Sequence, residues 1–251
     1  MRTIISFILL LSTLSFANMS NIELINIAGK QRMLSQRIAK DYLYIGKRVA
    51  RSKADRQLKK SLKDFLVSHK KLLLSINNPE IKNLLDFVDL SSNDFRDIAS
   101  QDFDLDNAQL ILDLSESMLE GSQYVFDSLQ KKFNIKESKV IGQSTKQRML
   151  SQRIAKYYIS YQSGIKDKNT VDMMKESVKL FSNNLKDLKK NSINTPQINR
   201  KLSEVDRLWK IVHKFYNNIE KGGLPLIVFN TTDNITKKMD EITKMYISLH
   251  K

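Results

Sequence analysis

An eleven-residue segment rich in hydrogen-bond donors occurs twice in this sequence. The segment, KQRMLSQRIAK, covers residues 30–40 and returns unchanged at residues 146–156, an offset of 116. Each copy carries two arginines, and the rigid N–H fork of arginine matches two oxygens of a planar oxyanion. Cores tolerate volume-conserving exchanges, so packing alone rarely requires identical polar residues. The repetition indicates a shared task, and the residue types favour binding of a small anion.

Helical spacing separates the polar residues of the segment onto different faces. At about 100° per residue, Arg32, Ser35 and Gln36 share one stripe. Leu34 belongs to the stripe that should face the core, and Arg37 lies about 140° from Arg32 on another face. The stripe is small and rich in donors, so it would let two helices approach and hold an anion between them. The residue types and their spacing leave an alternative open, in which Arg32 and Arg148 are interhelical salt-bridge partners or are solvated.

The repeat extends over nearly the whole chain. Residues of the same type recur at offsets of 116 or 117, among them the pairs Tyr42 and Tyr158, Phe65 and Phe181, Pro79 and Pro196, and Leu110 and Leu226. The offset is 116 at Tyr42 and Phe65 and 117 at Pro79, and the match of Leu110 with Leu226 predicts a return to 116 in the fourth helix. We therefore expect three parts: a signal peptide over residues 1–17, a first repeat over 18–134 and a second over 135–251.

The elements that position the segment are predicted to be helices. The chain has only 7 Gly and 3 Pro among 251 residues, too few for the many tight turns of a sandwich or barrel. In the first repeat, helices are expected from about Ser20 to Arg51, from Ala54 to Ile76, from Pro79 onward, and from Asp106 to Lys132. Asn78 is expected to cap the helix that begins at Pro79, and Thr195-Pro196 repeats this start in the second repeat. The predicted fold class is all-α, with two tandem four-helix up-down bundles forming an internal pseudo-dimer.

The connection between the repeats allows two arrangements. An up-down-up-down bundle returns the chain to the end where it began, so a short link over 133–135 can start the second bundle parallel to the first. The bundles would then lie side by side with their first helices in contact. The alternative is end-to-end, with the fourth helix running into the next first helix, since no Gly or Pro stops it there.

The N-terminus has the pattern of an export signal. Arg2 precedes an apolar run from Ile4 to Leu14, and Ser15 and Ala17 place small residues at both key positions before a cleavage site after Ala17. We expect a mature chain that begins near Asn18, lies in the periplasm and contains no membrane-spanning segment. The chain has no cysteine, so no disulfide or thiolate chemistry is expected.

The charge of the chain narrows the classes of partner. The formal net charge is +15, which favours anionic partners. Nucleic acid is not expected, because the basic residues are dispersed as short pairs without interleaved aromatic residues. The sequence shows no carboxylate–histidine metal motif, phosphate-binding glycine loop or nucleophile elbow. We therefore expect no metal, no cofactor and no enzymatic activity.

Residues 28–37, AGKQRMLSQR, resemble the opening segment of the type IV pilus methyl-accepting chemotaxis transducer N-terminal domain, the PilJ-like domain. More distantly they are similar to the P-box of the NarX-type nitrate/nitrite sensor kinases, through the form Gly-x-x-Arg-Met-x-Ser-x-Arg. The resemblance implies a periplasmic four-helix sensory bundle that dimerises through its first helix, where one Arg from each unit contacts the anion. The candidate ligand-binding residues are then Arg32, Arg148, Gly29, Ser35, Ser151, Gln36 and Gln152.

The resemblance also implies a ligand and a partner. Nitrate or nitrite is the implied anion, and a membrane-bound sensor or transducer is the implied partner, because the relatives continue into a membrane helix and this sequence ends at Lys251 without one. One departure is that Thr145 stands where the first copy has Gly29, so a backbone contact there would be one-sided. The alternative function is a scaffold that docks a transducer or pilus component without a small ligand.

Overall fold

The computed structural model describes residues 19–134 and 138–249. Within these residues the secondary structure is helical, with no strand, which confirms the all-α class. The α-helices are α1 (Asn21–Gly46), α2 (Arg51–Ser75), α3 (Pro79–Ala99), α4 (Leu105–Phe133), α5 (Ser138–Ser163), α6 (Lys168–Lys189), α7 (Pro196–Asn217) and α8 (Pro225–Ser248). The predicted signal peptide lies outside the described residues.

Short polar signals in the sequence begin several helices. Ser20 and Glu23 form a capping box at the start of α1, each side chain bonding the other's backbone N–H. The Asn78 side chain accepts from the Ile81 N–H, with Pro79 at the first helical position. Thr195 caps α7 in the same way. The two predicted Asx/Thr-Pro helix starts are therefore confirmed.

The first helix ends earlier than the sequence predicts. α1 stops at Gly46 because Arg48 and Ala50 adopt left-handed backbone conformations, with φ of 58° and 50°. α2 begins directly afterwards, at Arg51. Gly46 is required by packing, since a Cβ there would lie 2.1 Å from Phe103 Cδ2. The predicted end at about Arg51 and the predicted start of α2 at about Ala54 are wrong, because the helix ends at Gly46 and the turn uses Arg48 and Ala50, residue types that rarely adopt left-handed conformations.

The first helices of the two repeats lie at the centre of the molecule. α1 packs against α2 and α4 of its own repeat and against α5, and α5 packs against α6 and α8. One continuous apolar core runs through both repeats. The structure thus has the first helices in contact, as the side-by-side arrangement predicts. In the described residues no helix is apolar over a length that would cross a membrane.

The repeat register in the fourth helix differs from the expected one. An offset of 116 would pair Ile111, which is fully buried, with Ile227, which is 39% exposed. At an offset of 117, Ile111 pairs with Val228 and Leu112 with Phe229, and all four are buried. The expected return to 116 in α4 and α8 is therefore wrong. Sequence identity at Leu110 and Leu226 was misleading because both are exposed.

Candidate functional site

The two first helices approach most closely where the sequence places Gly29. A Cβ on Gly29 would lie 2.7 Å from the Cβ of Thr145, closer than side chains pack. Thr145 is the repeat counterpart of Gly29 at the offset of 116. Gln36 of α1 bonds the Ser115 carbonyl of α4, and Lys156 of α5, the counterpart of Lys40, bonds the Ser115 hydroxyl. Equivalent positions therefore lie at the same level, and α1 and α5 run side by side in the same direction. Gly29 therefore allows the close approach that brings the flanking arginines to the interface.

Arg32 lies in this interface and is only 2% exposed. Its Nη1 donates to Gln123 Oε1 at 2.6 Å and its Nη2 donates to Thr145 Oγ1 at 2.8 Å. The guanidinium carbon lies 3.7 Å from the centre of the Phe126 ring. Within residues 19–134 and 138–249, Arg32 forms no ion pair and its Nε has no hydrogen-bond partner. The side chain is therefore a buried cation held by neutral acceptors.

Arg148 occupies the corresponding position in the second repeat and is 1% exposed. Its Nη1 donates to Asp240 and forms an ion pair with it, and its Nη2 donates to Asn26 Oδ1 at 2.9 Å. Asp240 corresponds to Gln123 at the offset of 117. The repeats thus keep the arginine and the position of its acceptor, but only the second repeat supplies a carboxylate.

The two arginines are close enough to affect each other's charge. Arg32 reaches Thr145, which precedes Arg148 by three residues on α5, so about one helical turn separates the groups. The pKa of Arg32 is lowered to about 9, chiefly by burial, with Asp127 opposing the shift and the charge of Arg148 contributing to it. At neutral pH the guanidinium remains charged. Burial also lowers the pKa of Arg148, and Asp240 opposes that shift.

The predicted serines and glutamines are buried but turn toward their own bundles. Ser35 Oγ donates to the Arg32 carbonyl, and Gln36 Nε2 donates to the Ser115 carbonyl on α4. In the second repeat, Ser151 and Gln152 both bond Thr236 on α8. The structure therefore brings Gly29, Arg32 and Arg148 together at the interface. The other four candidates support the packing of the first helices against the fourth.

The last lysine of each repeated segment has a role that the sequence analysis missed. Lys40 is fully buried and pairs with Asp233 at 2.8 Å, across the interface on α8. Lys156, also fully buried, pairs with Glu116 on α4 of the first repeat. Glu116 and Asp233 are related by the offset of 117. The sequence does show these two acids at equivalent positions of the repeat, but only at an offset of 117, and the expected offset there was 116.

A buried carboxyl group lies beside one of these ion pairs. Asp41 is fully buried and meets Lys40 Nζ at 3.2 Å. Burial raises its pKa to about 7, Asp233 contributes in the same direction, and Lys40 opposes the shift. The second repeat has Tyr157 at the equivalent position, so this titratable group exists on one side only.

Arg37, the second arginine of the segment, was expected on a face away from the paired arginines, but it lies near Arg148. Arg37 lines a surface groove together with Met33 and Arg148. Its buried Nε has no hydrogen-bond partner among the described residues. Arg153, its counterpart, instead pairs with Glu116. The two copies of this arginine therefore have different environments.

Comparison with known proteins gives one family. No curated protein and no solved structure matches this chain. The described residues contain no group of three or more His, Asp or Glu side chains that could hold a metal ion. The family model described as "Type IV pili methyl-accepting chemotaxis transducer N-term" matches residues 16–87 and 133–228. These segments cover about two thirds of the 251 residues and include both copies of the repeated segment. The chain therefore belongs to the family of the type IV pili methyl-accepting chemotaxis transducer N-terminal domain.

Proposed function

We propose that this chain is an exported, periplasmic sensory protein that binds a small oxyanion between the first helices of its two repeats. Nitrate and nitrite are the candidates implied by the resemblance of residues 28–37. A membrane-bound sensor or transducer would read the bound state. The family supports the sensory part of the proposal, and the surroundings of Arg32 support the anion.

The observation that carries the proposal is that Arg32, although buried, forms no ion pair among the described residues. A fully buried guanidinium usually has a carboxylate partner, because taking a charge out of water is costly. Arg32 instead bonds the side-chain oxygens of Gln123 and Thr145. An anionic oxygen in place of either acceptor would form a stronger, charge-assisted hydrogen bond. The site is thus suited to an anion that arrives from solution.

Arg148 would be the second contact of the anion, and its existing bonds affect how the first helices would move on binding. An oxyanion between the two guanidinium groups would also relieve the repulsion between them. Arg148, however, would have to share its donors with Asp240, or exchange Asn26 for the anion. Arg32 is therefore the stronger anchor, and because α1 and α5 already touch at Gly29 and Thr145, binding would shift one first helix along the other. A displacement of the first helices is a change that a partner could detect.

A melting experiment tests the proposal against the scaffold alternative. A ligand that binds only the folded state raises the melting temperature. We expect nitrate or nitrite to raise the melting temperature of the purified chain above that in chloride at equal ionic strength. Arg32→Gln should abolish the difference, whereas Arg96→Gln, a change of the same type at an exposed site on α3, should retain it. If no small oxyanion shifts the melting temperature, the scaffold function replaces the proposal.

A further inference from the structure

A second feature with anion-binding chemistry is an open groove between the repeats. The groove has a volume of about 520 Å³ and runs between α2 of the first repeat and α8 of the second. Its floor contains Met33, Arg37 and Arg148, of which Arg148 is almost fully buried. Volumes of about 300–1,000 Å³ are typical of small-molecule sites. The groove is therefore much larger than a single nitrate requires.

Basic side chains dominate the lining of this groove. The seven basic residues are Lys30, Arg37, Lys53, Arg56, Lys60, Arg148 and Lys237, and the two acidic residues are Asp64 and Asp240. Lys30 and Lys60 both pair with Asp64. Among the residues that the structure describes, Arg56 and Lys237 form no ion pair. The groove thus holds more positive charge than its own carboxylates compensate.

A matching groove between α4 of the first repeat and α5 and α6 of the second has no excess of basic residues, since Glu116 and Glu120 balance its two basic side chains. That groove, about 450 Å³ in volume, is lined by Lys146, Met149 and Arg153, which repeat the lysine, methionine and arginine of the first helix. It differs in the other elements, since Glu120 stands where the basic groove has Lys237 at the offset of 117.

The second helices show the same reversal of charge. At the offset of 116, Asp172 stands in place of Arg56 and Glu176 in place of Lys60. The basic residues of the groove therefore do not follow from the repeat itself. They are specific to one of two otherwise equivalent surfaces, which a generally basic chain would not require.

We propose that this groove binds a compact polyanion, a small molecule that carries several phosphate or carboxylate groups. Its rim, formed by Arg56, Lys60 and Lys237, would recruit the outer anionic groups. Arg37 adds a guanidinium group at the floor. The site is separate from the proposed small-oxyanion site, because neither Arg32 nor its acceptors line the groove. Arg148, which lies at its floor, would link the two.

Titration calorimetry with tripolyphosphate and with citrate tests the proposal on the full chain. We expect binding at about 0.01 M salt that weakens at about 0.5 M, where exposed charges are screened. The double variant Arg56→Asp/Lys60→Glu installs the residues of the second repeat. It should weaken binding at least about tenfold, through the loss of charge-assisted contacts. Comparing the two probes shows whether phosphate or carboxylate groups are preferred.

A charge-matched control separates a site from a general effect of net charge. Lys175→Glu/Lys179→Glu changes the net charge equally and lies at exposed positions four residues apart on α6. We expect this control to bind tripolyphosphate within about twofold of the parent. Arg32→Gln should also retain tripolyphosphate binding, whatever its effect on the affinity for nitrate. Absence of binding by both probes, or equal weakening in the groove variant and the charge control, would overturn the proposal while leaving the small-oxyanion site untouched. Circular dichroism confirms that each variant is folded.

Discussion

At the scale of single residues, Gly29 sets the distance between the two first helices. Alanine there would place a Cβ 2.7 Å from Thr145 Cβ. Overpacking of this kind costs about 1–3 kcal/mol, partly offset by the higher helix propensity of alanine. We expect Gly29→Ala to lower the free energy of unfolding measured by urea denaturation.

Gly142→Ala is the matched control on α5. Its new Cβ would lie 3.0 Å from Gln130 Nε2 and 3.4 Å from Phe126 Cζ, a looser fit than the 2.7 Å contact at Gly29. The gain in helix propensity should therefore dominate and stabilise the chain by up to about 1 kcal/mol. If Gly29→Ala stabilised the protein as much as Gly142→Ala, the close approach of the first helices would be wrong.

Asp41 should make the stability depend on pH between its unfolded and folded pKa values. The unfolded carboxyl ionises near 3.8, whereas burial raises the folded pKa to about 7. Between these values the folded state binds more protons, so the stability from protonated Asp41 is complete below the lower value and is lost as the pH rises through the upper one. Relative to Asp41→Asn, the parent should lose about 2–3 kcal/mol from about pH 5 to about pH 8.

The parent must be compared with Asp41→Asn because His69 changes the stability with pH in the opposite direction to Asp41. Burial lowers the pKa of His69, so its contribution to stability rises with pH in the same range. His69 is unchanged in Asp41→Asn and cancels in the difference. Urea denaturation at several pH values measures the difference in free energy of unfolding between the parent and Asp41→Asn. A difference that did not change with pH would contradict the raised pKa of Asp41.

Sequence reasoning identified individual residues better than their contacts. The repeated segment indicated that Arg32 and Arg148 act at equivalent positions, and the structure places both in the interface. The partners Gln123 and Asp240 could not be predicted, because they lie on the fourth helices, where the expected register was wrong by one residue. The direction of Ser35 also depends on packing that no helical-wheel argument contains.

At the scale of elements, ion pairs between the repeats attach the first helices to the fourth. Glu116 on α4 pairs with both Arg153 and Lys156 of α5. Removing one partner of a buried pair leaves an uncompensated charge, which costs about 3–5 kcal/mol when burial is complete. Because Glu116 is about a third exposed, we expect Glu116→Ala to cost about 2–4 kcal/mol.

Glu120→Ala is the control for this prediction. Glu120 lies one turn further along α4 and is exposed, bonding only the Tyr124 hydroxyl in its own helix among the described residues. Its loss should change the stability by less than about 0.5 kcal/mol. Equal stabilities of the two variants would show that the α4–α5 ion pairs contribute nothing.

Element boundaries were predictable where capping chemistry marks them. Asn78-Pro79 and Thr195-Pro196 begin helices as predicted. The turn after α1 was not predictable, because Arg48 and Ala50 adopt left-handed conformations that neither residue type favours. Packing of Phe103 against Gly46, which the sequence does not reveal, accompanies that turn.

At the scale of the whole molecule, the shared core predicts that both repeats unfold together. Trp209 is the only tryptophan, and it lies in α7 of the second repeat, packed on Phe181. Its fluorescence therefore reports on the second repeat, whereas far-ultraviolet circular dichroism reports on all helices. We expect the two denaturation curves to coincide, as two-state unfolding requires. A dichroism transition that fluorescence does not follow would show that the first repeat unfolds alone.

The arrangement of the repeats was predictable only as one of two possibilities. A short link and identical first helices favoured side-by-side bundles, but the end-to-end alternative fitted the same sequence. Complementarity over the whole α1–α5 surface decides between them, and it arises from many contacts, such as Gly29 against Thr145, that are separated by more than a hundred residues in the chain.

The proposed oxyanion site depends most directly on the affinity of nitrate and nitrite for the two interface arginines. Isothermal titration should be carried out on the parent, Arg32→Ala, Arg148→Ala and the double variant. Each charge-assisted bond contributes about 1.5–3 kcal/mol, so each single variant should bind at least about tenfold more weakly. Because both side chains would hold one anion, the double variant should lose less than the sum of the single losses.

Arg153→Ala is the control for that titration, since Arg153 pairs with Glu116 and its loss should reduce stability without reducing affinity. Arg37 is unsuitable as a control because it borders the groove that Arg148 lines. We expect weakened, non-additive binding in the Arg32 and Arg148 variants and parental affinity in Arg153→Ala. Folded Arg32→Ala and Arg148→Ala proteins that bind the anion as tightly as the parent would contradict the proposed oxyanion site.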